Sequence, residues 1–395
     1  MKNIEIEETS GLKAIDSFEE LNLNPDLLRG IYAFGFEKPS IIQQKGILPV
    51  VSKRDTIAQA QSGTGKTATF SIGVLQLIDA KSPECQAIIL APTRELAQQI
   101  NKVIFCFSEF ININTRCCIG GTDPKEDRNA LKNGGIQVVV GTPGRIKDLI
   151  QRGTLKTGHL KIVVLDEADE MLGRGFVDEI REIFESLPSD IQVCLFSATM
   201  PPEIIEMTDK FMKDPVKILV KNQQLTLDGI KQFYISLQED SQKFGTLIQL
   251  YKNMVISQCM VFTNRKERVK ELADKLAENK FVVSCISGDM EMSERVNVMK
   301  EFRSGSSRIL ISTDLLGRGI DIQQVNLIIN YDLPTDTAKY IHRIGRSGRF
   351  GRKGVAINFV TPGDAQFLAN LRQYYNTQIE ELPLDISKIM EWWYL

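Results

Sequence analysis

The sequence is short of the residues that several common kinds of functional site require. Only 2 histidines occur in 395 residues, His159 and His342, which leaves little material for a histidine-rich metal site or a Ser–His–Asp triad. The 7 cysteines include no CxxC pair, and their odd number and irregular spacing argue against a disulfide framework or a zinc site. This cysteine usage fits a reducing compartment.

Long apolar runs and a strong net charge are also missing. No apolar run approaches the roughly 18 residues of a membrane span, and the polar, acidic N-terminus does not read as a signal peptide. We therefore expect a cytoplasmic protein. The formal net charge is −2, so a bound nucleic acid would meet a local groove with backbone donors rather than a global positive field.

What the sequence does contain is a repeated alternation of short apolar runs and amphipathic helical patterns such as Lys266–Asn279. Apolar runs of this kind are typical of strands buried on both faces of a parallel sheet, and the amphipathic stretches supply the covering helices. The alternation predicts an α/β doubly wound fold. The predicted strands are Ala87–Leu90, Gln137–Val140, Ile162–Leu165, Val193–Phe196, Met260–Phe262, Ile309–Ile311, Leu327–Ile329 and Val355–Phe359.

The length of the chain and a polar segment near its middle indicate two domains. A chain of 395 residues is long enough for two, and both halves share the strand–turn–helix order. The polar segment Lys221–Asp228 follows the strand-like Val216–Val220 and precedes a fresh apolar stretch. We predict an N-terminal domain over 1–220, a linker over 221–228 and a C-terminal domain over 229–395.

A glycine-rich segment, AQSGTGKT, has the spacing of a phosphate-binding loop. Its glycines let the backbone N–H groups turn toward a phosphate, and the helix N-terminus that follows favours negative charge. Lys66 would reach the β- and γ-phosphates, and the Thr67 hydroxyl would hold Mg²⁺. The strict pattern has glycine where Ala60 stands, and a chance glycine-rich turn is the alternative. The predicted contacts to ATP are Ala60, Gln61, Ser62, Gly63, Thr64, Gly65, Lys66 and Thr67.

A cluster of carboxylates, VLDEAD, ends a predicted strand about 100 residues further on. Ligands of open α/β sheets bind at the carboxyl ends of the strands. Asp166 can hold Mg²⁺ through water, and Glu167 can orient and deprotonate the attacking water. A solvated acidic turn is the alternative, but the pairing with a phosphate loop favours a catalytic role.

These motifs together resemble those of the DEAD-box RNA helicases, whose name spells Asp166–Asp169. Stretches such as LAPTRELAQQI and YIHRIGRSGR are similar to the translation initiation factor 4A subgroup. The resemblance implies two RecA-like domains, each a mostly parallel sheet covered by helices, as in the P-loop NTPase superfamily 2 helicase core. It also implies ATP-dependent unwinding of short RNA structures by domain closure, in mRNA translation initiation.

The resemblance extends to residues that would contact the nucleoside of ATP. GFEKPSIIQQ resembles the Q motif of the family, in which Gln43 would read the adenine edge and Phe36 would stack on the ring. Core packing is the alternative for the phenylalanine. Phe350 would close on the adenine from the other side. STDLLGRGID resembles the fifth motif, in which Asp321 would bond the ribose and Gly319 would also contact ATP.

Other motifs match segments that line the RNA backbone in the family. Their arginines would meet phosphates, their threonines would supply hydroxyls, and helix N-termini would add N–H groups, whereas a plain helix start or tight turn is the alternative for each. In the first half these residues are Pro92, Thr93, Arg94, Gly120, Gly121, Thr142, Pro143, Gly144 and Arg145. In the second half they are Thr263, Asn264, Arg295, Thr313, Asp314 and Arg318.

The motif HRIGRSGR supplies cations from the second half. Arg346 and Arg349 lie three residues apart on one helical face, and as arginine fingers they would stabilise charge on the transferring γ-phosphoryl. His342 would help to place the water. Ser197 and Thr199 resemble the motif that couples nucleotide state to RNA binding, with helix capping as the alternative. The predicted catalytic residues are Lys66, Glu167, His342, Arg346 and Arg349.

The resemblance implies ATP and Mg²⁺ as cofactors, RNA with little sequence preference as ligand, a HEAT-repeat scaffold as regulator, and a monomer. A second interpretation is an ATP-gated RNA clamp of an exon-junction-type assembly, which would be nuclear. A third is a P-loop ATPase that acts on DNA or proteins. Stimulation of ATP hydrolysis by RNA or by DNA, together with multiple-turnover unwinding of a short duplex, distinguishes the three.

Overall fold

A computed structural model describes residues 6–8, 11, 14–60, 63–220, 230–254, 256, 258–314, 325–347 and 353–383. The chain divides into two compact units, Met1–Lys221 and Asn222–Leu395. The predicted linker, 221–228, lies outside the described residues, and the predicted domain limits stay a prediction. No helix in the described part of the chain is long and apolar enough to cross a membrane.

The first unit is built on one sheet whose strands are almost all parallel. In the described part, the strands are β1 (Ile6–Glu8), β2 (Thr56–Gln59), β3 (Ala87–Leu90), β4 (Thr115–Cys118), β5 (Val138–Gly141), β6 (Ile162–Asp166), β7 (Gln192–Ser197) and β8 (Val216–Val220). Their order across the sheet is β1-β8-β2-β7-β6-β3-β5-β4. Only β1, at one edge, runs antiparallel to its neighbour among these strands.

Helices cover this sheet. They are α1 (Pro25–Ala33), α2 (Ile41–Val51), α3 (Lys66–Leu77), α4 (Arg94–Phe107), α5 (Pro124–Lys132), α6 (Pro143–Gln151), α7 (Ala168–Glu170), α8 (Val177–Glu185) and α9 (Pro202–Thr208). A 3₁₀ turn spans Phe18–Leu21, and a π-helical turn spans Met171–Gly175. Strands β2, β3, β5, β6 and β7 are buried along their whole length, as expected of strands that are covered by helices on both faces of the sheet.

The second unit is a wholly parallel sheet in its described part, with the strand order β11-β12-β10-β13-β14-β9-β15. Its strands are β9 (Ile230–Ser236), β10 (Cys259–Phe262), β11 (Val283–Ile286), β12 (Ile309–Ser312), β13 (Leu327–Asn330), β14 (Gly354–Val360) and β15 (Glu380–Glu381). Its helices are α10 (Gln242–Asn253), α11 (Lys266–Glu278), α12 (Met292–Ser304), α13 (Thr337–Ile344), α14 (Ala365–Tyr374) and a 3₁₀ turn, Pro362–Asp364.

Strand order and register decide where the motifs of the first unit meet. The carboxyl ends of β2, β7 and β6 lie side by side, and those of β3, β5 and β4 follow along the same edge of the sheet. The phosphate loop, the segment with Ser197 and Thr199, and the DEAD motif follow the first three strands, whereas the predicted RNA-contacting loops follow the other three. Both predicted sites of this unit therefore lie at one edge of one sheet, where ligands of α/β folds bind.

Candidate functional site

The phosphate loop connects β2 to α3, as the sequence predicts. Gly63 and Gly65 have φ angles of +82° and +106°, which the left-handed region allows to glycine but rarely to other residues. Helix α3 begins at Lys66, whose buried Nζ donates to the Ala60 carbonyl oxygen at 2.7 Å. Thr67 is the second residue of this helix. Gln61 and Ser62 lie outside the described residues.

Gln43 packs directly against this loop. Its Nε2 donates to the Gly65 carbonyl oxygen at 3.5 Å, and its Oε1 accepts from the Ser40 backbone N–H at 2.8 Å. A Cβ on Gly65 would lie only 2.6 Å from Gln43 Nε2, so a side chain at this position would displace the end of the Gln43 side chain and would also be strained by the positive φ. The structure thus joins the segment that resembles the Q motif to the phosphate loop, while the reading of adenine by Gln43 stays a prediction.

Phe36 lies in a group of aromatic side chains at the surface of the first unit. Its ring is stacked with that of Phe34 at a centroid distance of 5.7 Å and meets the rings of Phe18 and Phe107 edge-on, at 6.4 Å and 5.9 Å. Phe18 is fully buried, so core packing accounts for it. Phe36 is partly exposed, and its stacking on adenine stays a prediction.

The DEAD carboxylates lie at the end of β6, next to the end of β7. Asp166 and Glu167 are both about 98% buried, and Asp166 Oδ1 accepts from the Glu167 backbone N–H at 3.0 Å. Glu167 has a φ of +55°, which turns the chain sharply out of the strand. Burial, and next the charge of Glu167, raises the pKa of the Asp166 carboxyl to about 7, while Lys66 opposes this rise.

These groups fit a divalent cation. A buried carboxylate whose pKa is raised by desolvation gains from a positive charge beside it, and hard cations take oxygen ligands. Asp166 and the Thr67 hydroxyl are the residues that would hold Mg²⁺.

Asp169 forms a link that the sequence alone does not reveal. Its Oδ1 accepts from Ser197 Oγ at 2.6 Å, and its Oδ2 accepts from Thr199 Oγ1. The parallel register of β6 and β7, with Asp166 opposite Phe196, brings the two motifs together. The only signal in the sequence is the spacing of two hydroxyl residues, two positions apart, at the end of a neighbouring strand.

The first predicted RNA-contacting loops converge at the ends of β3 and β4. Thr93 caps α4, since its Oγ1 accepts from the Leu96 backbone N–H at 3.2 Å. Arg94 lies against Gly120 and Gly121: a Cβ on Gly121, whose φ is +83°, would fall 2.2 Å from Arg94 Nη1. The backbone of this glycine pair therefore fits around the arginine side chain.

The third loop follows β5 and begins α6 with Thr142, Pro143 and Gly144. The Thr142 backbone N–H donates to the Cys118 carbonyl oxygen at 3.2 Å, which joins this loop to the end of β4. The Arg145 guanidinium is bonded within the unit, to the buried carboxylate of Asp127 and to Thr122. Its predicted contact with an RNA phosphate stays a prediction, and sequence reasoning missed Asp127 altogether.

In the second unit, Arg343 connects three of the predicted motifs. This fully buried guanidinium donates from Nε to Asp314 Oδ1 at 2.5 Å, from Nη2 to Asn264 Oδ1 at 2.7 Å and from Nη1 to the Asp332 carbonyl oxygen at 2.7 Å. It thereby ties α13 to the ends of β10 and β12. Sequence reasoning assigned roles to Arg346 and Arg349 but none to Arg343.

The remaining predicted residues of the second unit are placed as follows. His342 lies on α13, and its carbonyl oxygen accepts from Arg346 Nε at 3.1 Å. Thr263 Oγ1 donates to the Arg265 carbonyl oxygen at 3.2 Å, and Arg295 Nη2 on α12 donates to the Gly288 carbonyl oxygen at 2.6 Å. Thr313 follows β12 and is partly exposed. Outside the described residues lie Arg318, Gly319, Asp321, Arg349 and Phe350.

Two protein families match the chain, one in each unit. The DEAD/DEAH box helicase family matches residues 40–208, and the helicase conserved C-terminal domain matches residues 242–351. An ATP-dependent RNA helicase eIF4A of Neurospora crassa is 58% identical over 378 residues, which are 96% of this chain and 95% of that protein. The chain belongs to the DEAD-box RNA helicases.

A second relative and two solved structures extend this assignment. An ATP-dependent RNA helicase eIF4A of Aspergillus fumigatus is 59% identical over 372 residues, which are 94% of this chain and 91% of that protein. Dbp5 of S. cerevisiae bound to RNA and ADP BeF3 has a TM-score of 0.89 at 39% identity, with 95% of this chain and 98% of that one covered. Mss116p bound to ssRNA and AMP-PNP has a TM-score of 0.85 at 27% identity, with 98% and 84% covered.

The likeness to these DEAD-box structures confirms the predicted fold class, two RecA-like units each with a mostly parallel sheet covered by helices. In the first unit, the described groups supply what phosphoryl transfer to water needs: a lysine at a phosphate loop, buried carboxylates and a helix N-terminus. Family membership makes the chain an ATP-using enzyme.

Proposed function

We propose that this DEAD-box helicase is an RNA-stimulated ATPase that separates short RNA structures during translation initiation. The observation that carries the proposal is the strand order of the first unit, because it puts phosphate-binding, carboxylate and predicted RNA-contacting loops along one edge of one sheet. The curated relatives bear the name of an ATP-dependent RNA helicase, and the solved relatives hold RNA together with a nucleotide. The names of these relatives and the ligands of these structures support the same function.

The proposed chemistry uses residues of the first unit at the triphosphate. Lys66 binds the β- and γ-phosphates, for which it would exchange its bond to the Ala60 carbonyl oxygen. Mg²⁺ held by Asp166 and Thr67 would neutralise charge on the same phosphates. Glu167, which is about 98% buried beside Asp166, orients the water and accepts its proton.

The proposed link between nucleotide and RNA runs through Asp169. Its carboxylate holds Ser197 and Thr199 at the end of β7, while its own segment continues directly from Asp166 and Glu167. A movement of Asp166 and Glu167 on hydrolysis would therefore also move Asp169 and, through its hydrogen bonds, the segment that follows β7. Coupling of this kind is reciprocal, so RNA would change the affinity for ATP by the same factor.

The second unit would supply the arginines that act on the γ-phosphoryl. The resemblance assigns this role to Arg346 and Arg349. The Arg343 bonds to Asp314 and Asn264 support it, because they fix the helix that precedes both arginines relative to two strand ends. Regulation by a HEAT-repeat scaffold, a monomeric state and a cytoplasmic location remain predictions.

Two assays run side by side test the proposed function. ATP hydrolysis is measured alone, with single-stranded RNA and with single-stranded DNA of the same sequence, and separation of a short RNA duplex is followed over many turnovers. We expect hydrolysis to rise with RNA and the duplex to separate only with ATP. Stimulation by DNA alone would reject the RNA function, and RNA retained with ATP without turnover would favour the clamp.

A further inference from the structure

A buried carboxylate on α5 lies between two arginines of the first unit. Asp127 is only 1% exposed, and its Oδ1 accepts from Arg116 Nη2 at 2.8 Å and from Arg116 Nε at 3.0 Å. Its Oδ2 accepts from Arg145 Nη1. Both oxygens of this carboxylate therefore accept hydrogen bonds from guanidinium groups, one from Arg116 on β4 and the other from Arg145 on α6.

The Arg145 side chain also closes the turn that follows β4. Its Nη2 donates to the Thr122 carbonyl oxygen at 2.8 Å, and its Nη1 donates to Thr122 Oγ1 at 3.3 Å. Thr122 Oγ1 in turn donates to the Ile119 carbonyl oxygen at 2.9 Å. Thr122 comes directly after the Gly120–Gly121 pair, so the planar fork of Arg145 fixes this glycine turn relative to α6.

Arg94, on the same surface, differs from Arg145 in that no carboxylate is paired with it in the described part of the chain. Its side chain is partly exposed and lies against Gly120 and Gly121. In the part of the chain that the structure describes, its guanidinium has no ion pair or hydrogen bond. A phosphate that approached this arginine would meet an uncompensated positive charge, whereas one that approached Arg145 would also meet the carboxylate of Asp127.

We infer that Arg145 and Asp127 are positioning residues, which hold the Gly120–Thr122 turn in place for an RNA phosphate, and that Arg94 makes the ion pair with that phosphate. The inference rests on the proposed RNA-binding function. It assigns a role to Asp127 that neither the resemblance nor the comparisons supply, and it separates two arginines that the sequence analysis treated alike.

The salt dependence of RNA binding distinguishes a phosphate contact from a positioning contact. For single strands, log K falls with log salt concentration by about 0.7 per neutralised phosphate. The dissociation constant of a labelled single-stranded RNA is measured by fluorescence anisotropy at several salt concentrations in the presence of a non-hydrolysable ATP analogue. We expect Arg94→Gln to reduce this slope by about 0.7. We expect Arg145→Gln and Asp127→Asn to raise the dissociation constant severalfold and to leave the slope unchanged.

Three further variants make the result decisive. Arg145→Lys keeps the charge but loses the fork, so it should bind as weakly as Arg145→Gln if the role is positioning. Thr122→Val replaces the hydroxyl that accepts from Arg145 by a methyl group, and it should weaken RNA binding without a change in the slope. This variant keeps the inference testable in case Asp127→Asn does not fold. Arg181→Gln removes a charge from an exposed pair on α8 and should change neither quantity. A thermal melt of each variant verifies that it is folded.

The two possible failures give different results. If Arg145→Gln lowers the slope as much as Arg94→Gln does, or if Arg145→Lys restores full affinity, Arg145 is a phosphate ligand and the inference is wrong. If the unmodified chain shows no salt-dependent RNA binding with any nucleotide, the proposed function itself fails.

Discussion

Arg343 Nε donates to Asp314 Oδ1 at 2.5 Å, and this ion pair joins α13 to the end of β12. The arginine side chain is fully buried and also lies over the Phe262 ring, with its central carbon 5.3 Å from the centroid. A buried guanidinium needs hydrogen-bond partners for its N–H groups, and residues at the ends of β10, β12 and β13 supply them. The helix that leads into the predicted arginine fingers is therefore held by a residue outside the predicted active site.

Loss of this arginine should destabilise the second unit. Arg343→Gln leaves the partly exposed Asp314 carboxylate without its closest cation and the buried Asp332 carbonyl oxygen without its donor. Leaving a buried acceptor unsatisfied typically costs about 1–3 kcal/mol. We expect the midpoint of urea unfolding, measured on the full chain, to fall clearly. Lys339→Gln is the matched control, because Lys339 Nζ lies 4.0 Å from the same carboxylate at the surface and should cost at most about 1 kcal/mol. Equal shifts for both variants would contradict this account.

Gly65→Ala should weaken ATP binding without unfolding the chain. The substitution forces a side chain into φ +106° and puts its Cβ 2.6 Å from Gln43 Nε2, so the backbone is strained and Gln43 must give up its contact with the phosphate loop. Strain of this kind costs roughly 1–3 kcal/mol. The affinity for a fluorescent ATP analogue is the measurement. Gly158→Ala, at a glycine with open space around it, should leave that affinity unchanged, and an unchanged affinity for Gly65→Ala would refute the contact with Gln43.

Glu167→Gln should stop hydrolysis and retain ATP binding. The substitution preserves the size of the side chain and removes the proton acceptor, an effect on the order of 10²–10⁴-fold in turnover. Lys66→Ala should also abolish hydrolysis, but through lost contacts to the phosphates. Turnover and circular dichroism are measured together, because gross unfolding of either variant would mean that the residue stabilises the core instead.

Replacement of the hydroxyls that bond Asp169 should separate hydrolysis from RNA remodelling. The double variant Ser197→Ala/Thr199→Val removes two hydroxyl donors to the carboxylate but no group from the phosphate loop. We expect unwinding of a short duplex to fall more than ATP turnover does. Ser186→Ala, which removes a hydroxyl from the exposed end of α8, serves as the control. A parallel loss of turnover and unwinding would argue against a coupling role.

Much of the fold follows from local sequence. Ile88 lies in a strand that is apolar at every position, and Val163 lies in one that is apolar up to its last residue, Asp166. Such runs are typical of strands in a sheet that is covered on both faces, and the structure confirms both strands with a shift of at most one residue at their ends. The phosphate loop is equally predictable from the sequence, because the positive φ angles that it requires are ones that glycine readily adopts. Local signals of this kind fix both the elements and the loops that carry the nucleotide motifs.

The polar networks could not be predicted in the same way. Arg343 meets Asn264 from 79 residues away, and Arg145 meets Asp127 from 18 residues away on another helix. Such pairs depend on strand order and on side-chain direction, neither of which appears in a single sequence. The motif arginines Arg94 and Arg145 look alike in sequence. Only their surroundings distinguish them, because Arg145 is paired with Asp127 whereas Arg94 has no ion pair with any residue that the structure describes.

The most direct test of the whole account is the coupling between nucleotide and RNA. The dissociation constant of a single-stranded RNA is measured without nucleotide, with ADP and with a non-hydrolysable ATP analogue, and the affinity for the analogue is measured with and without RNA. We expect the analogue to tighten RNA binding and RNA to tighten analogue binding by the same factor, as linkage requires. Equal RNA affinities in all three nucleotide states would contradict the account.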